Sequence, residues 1–191
     1  SDLEVLWNTS DAQQQLAAGG WDVVVLEQDL SIVKDPTIFK EYAGKFKQAG
    51  DAAGARTVLF MPWESNLKVN PHPIDEIARI YAETGAALGV EVAPVGLAWQ
   101  RAHQERPALN IYGADSVSPS IYGTYLAACV LYATIFGQDP RGLPYRPADL
   151  FPDANAIIKD LVRQWPKLAD DDAAFLQRIA WETVQAYKDG Q

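Results

Sequence analysis

At 191 residues the chain suits one domain with a full core and does not require two, so residues 1–191 are read as a single domain. Hydrophobic residues make up 48% of the chain and charged residues 21%, the balance of an ordinary folded protein. A net charge of −9 without clustered lysines and arginines excludes the phosphate-neutralising surface that nucleic acid requires, and the acidity reads as a solubility feature.

The N-terminus, Ser1 to Glu4, has neither the basic nor the apolar region of a signal peptide. The missing initiator Met points to processing, trimming or renumbering, and the compartment stays open. The first clear element is Trp21 to Leu26, an uninterrupted β-branched run expected to be a strand buried on both faces of a parallel sheet. A helix is expected from Pro36 to Gln48, with Asp35 as its N-cap, Pro36 in its first turn, and Phe39, Tyr42, Ala43 and Phe46 on one face. Thr57 to Met61 reads as a second strand, Ile74 to Leu88 as a helix stopped by Gly89, and Val90 to Val95 as a third strand. This alternation implies a three-layer α/β/α sandwich with a mostly parallel, flavodoxin-like sheet. Ligands of such sheets bind beyond the carboxyl ends of the strands, which selects the loops Glu27–Val33, Pro62–His72 and Gly96–Gln104.

Ser120 to Phe136 reads as an apolar helix ended by Gly137 and Pro140, and Pro140–Pro152 as a surface strap. The single cysteine, Cys129, lies inside the apolar run Leu126–Leu131 and reads as a small buried hydrophobe; no intramolecular disulfide can form. Helices are expected at Ala154–Gln164 and Asp170–Lys188. The triplet Asp170-Asp171-Asp172 complements the positive end of the second one rather than holding a metal. No apolar stretch is long enough to span a bilayer, and no membrane partner is expected.

Motifs for metals and phosphates are missing. His72 and His103 have no metal-ligand spacing, and there is neither a glycine-rich phosphate loop nor a Gly-x-Ser-x-Gly elbow, so no metal and no cofactor are expected. The informative segment is Leu109 to Ser120, containing Asp115-Ser116-Val117-Ser118-Pro119-Ser120 and leading into a helix rich in small residues. It resembles the last sequence block of the SGNH (GDSL-like) hydrolases, Asp-x-x-His-Pro-Ser. Trp21–Leu26, Gly54–Trp63, Val92–Trp99 and Phe175–Trp181 are similar to one bacterial branch of that superfamily, so the resemblance spans nearly the whole chain.

The resemblance implies a hydrolase of carboxylic esters, with O-acyl groups on carbohydrate as a candidate substrate class. In the family the Asp of this block orients a His that serves a serine as general base. Asp115 keeps the first role, while Ser118 stands at the position of the His. A hydroxyl has no pKa near neutrality and cannot replace that base. The family's Gly-Asp-Ser or Gly-Asn-Ser nucleophile turn, which follows a central first strand, has no counterpart in residues 1–191. Where the branch places a glutamine-rich stretch at the site, this chain has Glu27-Gln28-Asp29. An ionised Glu27 accepts hydrogen bonds only, which leaves Gln28 as the one candidate oxyanion donor there.

Trp63 and Trp99 end strands on the site edge and are candidates for stacking on a sugar or an aromatic ester, or for core packing. His72 lies on a loop at the right edge of the sheet but is expected to be an ordinary loop histidine, and His103 more so. Asp115 is expected to cap the helix beginning near Ser120, and Glu64 to pair with Lys68. Without the first strand the Val23 strand is expected to lack a neighbour, a gap that another element or a second chain of a homodimer would fill. The readings left standing are an ester hydrolase with an incomplete triad, a natural non-catalytic binding or assembly module of the same fold, and a doubly wound domain of unrelated function.

Overall fold

The computed structural model describes residues 2–28, 35–65, 73–145 and 168–190. The expected helix at Ala154–Gln164, most of the proline-rich strap, Lys68 and His72 lie outside them.

Two short helices precede the sheet, α1 (Leu3–Thr9) and α2 (Ala12–Ala18). The Asp2 carboxylate caps α1 by accepting from the Glu4 and Val5 amides at 2.8 and 3.3 Å. The sheet consists of β1 (Val23–Leu26), β2 (Arg56–Phe60) and β3 (Glu91–Ala93), parallel and in that order. Val23 aligns with Arg56 and Leu26 with Leu59, so β1 pairs with β2 on one side, while among the described residues no strand pairs with its other edge, the position that the sequence left open. The expectation of burial on both faces holds for β2, where Val58 and Leu59 are fully buried, but fails for β1, where Val25 remains 41% exposed. β1 is an edge strand, and β2 in the middle of the three described strands is buried from Thr57 to Phe60.

The helix after β1, α3 (Pro36–Ala52), begins as expected: Asp35 accepts from the Thr37 and Ile38 amides at 3.0 and 3.4 Å, and Pro36 needs no amide partner in the first turn. α4 (Ile74–Leu88) stops at Gly89, whose φ of 64° is the left-handed conformation that glycine takes without strain. The third segment departs from expectation. β3 is three residues long, and the stretch read as a loop is a helix, α5 (Val95–Glu105). Gly96 permits this early start, because a Cβ there would lie 2.1 Å from the Pro62 carbonyl oxygen. The first turn of α5 thus presses directly on the exit of β2, where Gly96 N–H donates to the Met61 carbonyl at 3.0 Å. α6 (Ile121–Phe136) and α7 (Asp170–Asp189) complete the described helices.

The sheet divides two apolar cores. Leu26, Leu59, Met61 and Val92 pack with Leu3, Leu16, Phe39, Ile77 and Tyr81, so α1 to α4 cover one face. Val58, Phe60 and Ala93 pack with Trp99, Leu126, Val130, Leu176 and Ile179, so α5, α6 and α7 cover the other. This is the expected three-layer α/β/α arrangement. Fully burying each large side chain contributes roughly 1.5–3 kcal/mol, which makes the two cores the main source of stability. Cys129 lies in the second core, where burial pushes its thiol up to about 12. A ring of Arg101, Glu105, Arg178 and Glu182 ties α5 to α7, but each side chain is about a third exposed, so water and salt keep its contribution small.

Candidate active site

The loop joining α5 to α6 holds Asp115 and Ser118. Its stem is a short antiparallel pairing: Gly113 N–H donates to the Ser118 carbonyl at 2.7 Å, and Ser120 N–H to the Ile111 carbonyl at 3.0 Å. Ser116 turns the tip with a φ of 59°. Within this turn Asp115 Oδ1 accepts from the Val117 and Ser118 amides at 3.0 and 2.8 Å, and Oδ2 accepts from Ser118 Oγ at 2.6 Å. The Ser118 hydroxyl, with help from those amides, holds the Asp115 carboxyl below its ordinary value. Asp115 does not cap α6. That role belongs to Ser120, whose Oγ accepts from the Tyr122 and Gly123 amides at 3.2 and 3.4 Å.

The loop is moored to the end of β2. Trp63 Nε1–H donates to the Val117 carbonyl at 2.9 Å, and the Tyr112 hydroxyl donates to the Glu64 carbonyl at 2.9 Å. Trp63 stacks face to face on Trp99, with ring centroids 4.1 Å apart, and Tyr112 meets Trp99 edge-on at 5.3 Å. Trp99 is 1% exposed, which makes it the buried floor of the cluster, while half-buried Trp63 forms the wall next to the loop. Of the two readings open for these indoles, core packing therefore describes Trp99, and Trp63 keeps a partly open face. The Glu64 side chain accepts from Ile74 N–H at 3.0 Å, at the start of α4. Tyr112 carries the mooring bond to Glu64, a role for which its sequence context held no signal.

The other predicted positions are arranged differently. Glu27 is exposed at the end of β1. Gln28 is 3% exposed; its Oε1 accepts from Leu3 N–H at 2.8 Å and its own amide N–H donates to the Tyr81 hydroxyl at 3.1 Å. Those contacts belong to the α1 and α4 side of the sheet, whereas Asp115, Ser118, Trp63 and Trp99 cluster on the α5 and α6 side. His72 lies outside the described residues, and His103 is exposed on α5 with its ring 6.5 Å from that of Tyr112.

No family model matches the chain, and no curated protein does either. Solved structures do. A DUF4886 family protein from Bacteroides uniformis superposes with a TM-score of 0.68 over 91% of this chain and 66% of that chain, at 14% identity. A protein from Slackia heliotrinireducens, provisionally assigned as an SGNH hydrolase, superposes with a TM-score of 0.60 over 71% of this chain and 79% of that chain, at 26% identity. The fold is SGNH-like. In the Asp115–Ser118 turn one carboxylate oxygen accepts from the two backbone amides of the turn. Here the second carboxylate oxygen is taken by a hydroxyl three residues away, which can hold the turn closed but cannot shuttle a proton near neutral pH.

Proposed function

We propose that this chain is an SGNH-type domain for carboxylic esters, O-acyl groups on carbohydrate foremost, in which ester turnover has been lost. The observation that carries this reading is the 2.6 Å hydrogen bond from Ser118 Oγ to Asp115 Oδ2. It occupies the carboxylate that would orient a general base, and loss of a triad member typically lowers the rate by several orders of magnitude. Trp63, with its partly open indole face beside the loop, is the residue to contact an acyl sugar. The alternative, a naturally non-catalytic binding or assembly module of the same fold, is favoured by the burial of Gln28. Its amide oxygen is bonded to α1, and the neighbouring Glu27 carries an acceptor-only carboxylate.

Hydrolysis of p-nitrophenyl acetate and butyrate tests the loss of turnover. The expected release of p-nitrophenol equals the buffer rate. A protein-dependent rate that disappears with His72→Ala or His103→Ala would overturn the proposal, because it would identify a replacement base.

A further inference from the structure

Among the described residues, no strand pairs with the edge of β1 that faces away from β2. Arg56 N–H donates to the Asp22 carbonyl at 2.9 Å, and the alternation of the strand carries that direction on to the peptide groups of Val24 and Leu26. The N–H and C=O groups of Val23 and Val25 therefore point to the open edge. Edge strands are normally blunted by a charged side chain, a proline or a bulge. β3, at the opposite side of the sheet, follows that rule with Glu91. β1 is Val-Val-Val-Leu and has none of these devices. Along its edge runs a groove of about 390 Å³, lined by β1 together with Leu3 and Leu6 of α1, Leu16 of α2 and Trp21. Leu6, Trp21 and Val25 are 36%, 48% and 41% exposed, so an apolar strip lies beside the open backbone groups. Trp21 is fixed in place, since its Nε1–H donates to the Gln15 carbonyl at 2.9 Å.

We infer that this groove receives an extended apolar segment of a partner polypeptide, flanked by lysine or arginine, which adds to the sheet as a strand beside β1. Val23 and Val25 offer such a guest two backbone donors and two acceptors, which supply the pairing. Apolar side chains of the guest pack against Leu6, Leu16 and Val25, which supply the selectivity. Charge chooses the partner. From Asp2 to Gln28 the chain carries Asp2, Glu4, Asp11, Asp22 and Glu27, and no lysine or arginine. Among the described residues Asp2, Glu4, Asp11 and Asp22 form no ion pair, and Lys45 and Lys47 of the adjacent α3 are engaged by Glu41 and Asp51. Edge-to-edge pairing of two copies would set these carboxylates against each other, which disfavours a second copy as the guest. A basic flank gains from the same charges. The groove lies on the α1 and α2 side of the sheet, away from Asp115 and Ser118, and does not rest on the ester reading.

The test is a titration of ¹⁵N-labelled protein with the peptide acetyl-Lys-Lys-Val-Thr-Val-Thr-Val-Lys-Lys-amide, followed by amide exchange. Saturable binding is expected, with exchange slowed at Val23 and Val25 and unchanged at Val24, whose N–H already faces β2. N-methylation of the valines or of the threonines strips the donors from one edge or the other of the peptide strand. One of these two peptides is expected to bind about tenfold more weakly or worse. A version with glutamates in place of the lysines is also expected to bind about tenfold more weakly. Val25→Pro removes an outward donor while keeping the bonds to β2, and is expected to weaken binding in the same way. Unslowed exchange at Val23 and Val25, undiminished binding of both methylated peptides, or equal binding of the glutamate version would each overturn the inference. Concentration-dependent dimerisation of the protein alone, with those two amides protected, would assign the edge to a second copy and overturn it as well.

Discussion

Gly123 is where the helix before the strap meets the aromatic cluster of the site, and replacing it with alanine probes that contact directly. A Cβ at position 123 would lie 2.1 Å from Trp99 Cη2, 2.7 Å from Cζ3 and 2.4 Å from the Ile111 carbonyl oxygen. None of these neighbours can give way cheaply. The indole is held by the Trp63 stack at 4.1 Å, and the Ile111 carbonyl is engaged by Ser120 N–H at 3.0 Å. Overpacking of this kind costs about 1–3 kcal/mol, and the contact with fixed backbone puts this case at the upper end. Alanine recovers at most about 1 kcal/mol of helix propensity over glycine. The net expectation is a loss of about 2 kcal/mol, or a Tm lower by about 4–8 °C for a domain of this size. Gly44 in α3 is the internal control: its Cβ would meet only Leu88 Cδ2, at an ordinary 3.5 Å. Gly44→Ala is expected to raise Tm by about 2–4 °C through propensity alone. Thermal unfolding monitored by near-ultraviolet circular dichroism reads both stability and the tryptophan stack. If Gly123→Ala were neutral or stabilising with an unchanged aromatic signal, the packing assigned to Trp99 and α6 would be refuted.

Trp63→Phe keeps an aromatic ring against Trp99 but removes the donor to the Val117 carbonyl, and is expected to cost about 1 kcal/mol. Amide exchange at Val117 and Ser118 should accelerate more than exchange in α6, and equal acceleration in both would contradict the mooring role. Asp115 has a folded-state carboxyl held below its ordinary 3.8, so the stability it gives its turn is present above that value and is lost as pH falls through the lower, folded one. In Ser118→Ala, which removes the largest of the causes, the carboxyl resonance of Asp115 is expected to titrate at higher pH. An identical titration in the two proteins would refute the clasp between them.

The layers and most of the helices were legible in the sequence because their signals are local. Asp35-Pro36 starts α3, Gly89 stops α4, and the apolar spacing of Phe39, Tyr42 and Phe46 identifies a buried face. The misreadings have physical causes. Residues 96–104 read as a loop because Pro94 and Gly96 are loop-like residues in isolation. Only the close approach to Pro62 explains why a glycine is required in a helix there. The Val23 run reads as doubly buried because its composition is that of a central strand, whereas exposure depends on its place in the sheet order, a long-range property. In the site, the Asp115–Ser118 pair was legible from its spacing and its motif. Asp115 was misread as the cap of α6 because both Asp and Ser cap helices, and the choice of Ser120 rests on the hairpin stem between Ile111 and Ser120. The Trp63–Trp99 stack and the Tyr112 mooring join β2, α5 and the loop, and no local pattern announces them.

The proposed loss of ester turnover in this SGNH-like domain, with Ser118 bonded to Asp115, is open to direct measurement. The most direct measurement is the release of free acetate from an O-acetylated monosaccharide, followed by ¹H NMR with the protein present in stoichiometric amount. The expected result is acetate accumulation no faster than in the protein-free control. Acetate that accumulates in proportion to protein concentration, and ceases with Asp115→Ala, would contradict the account.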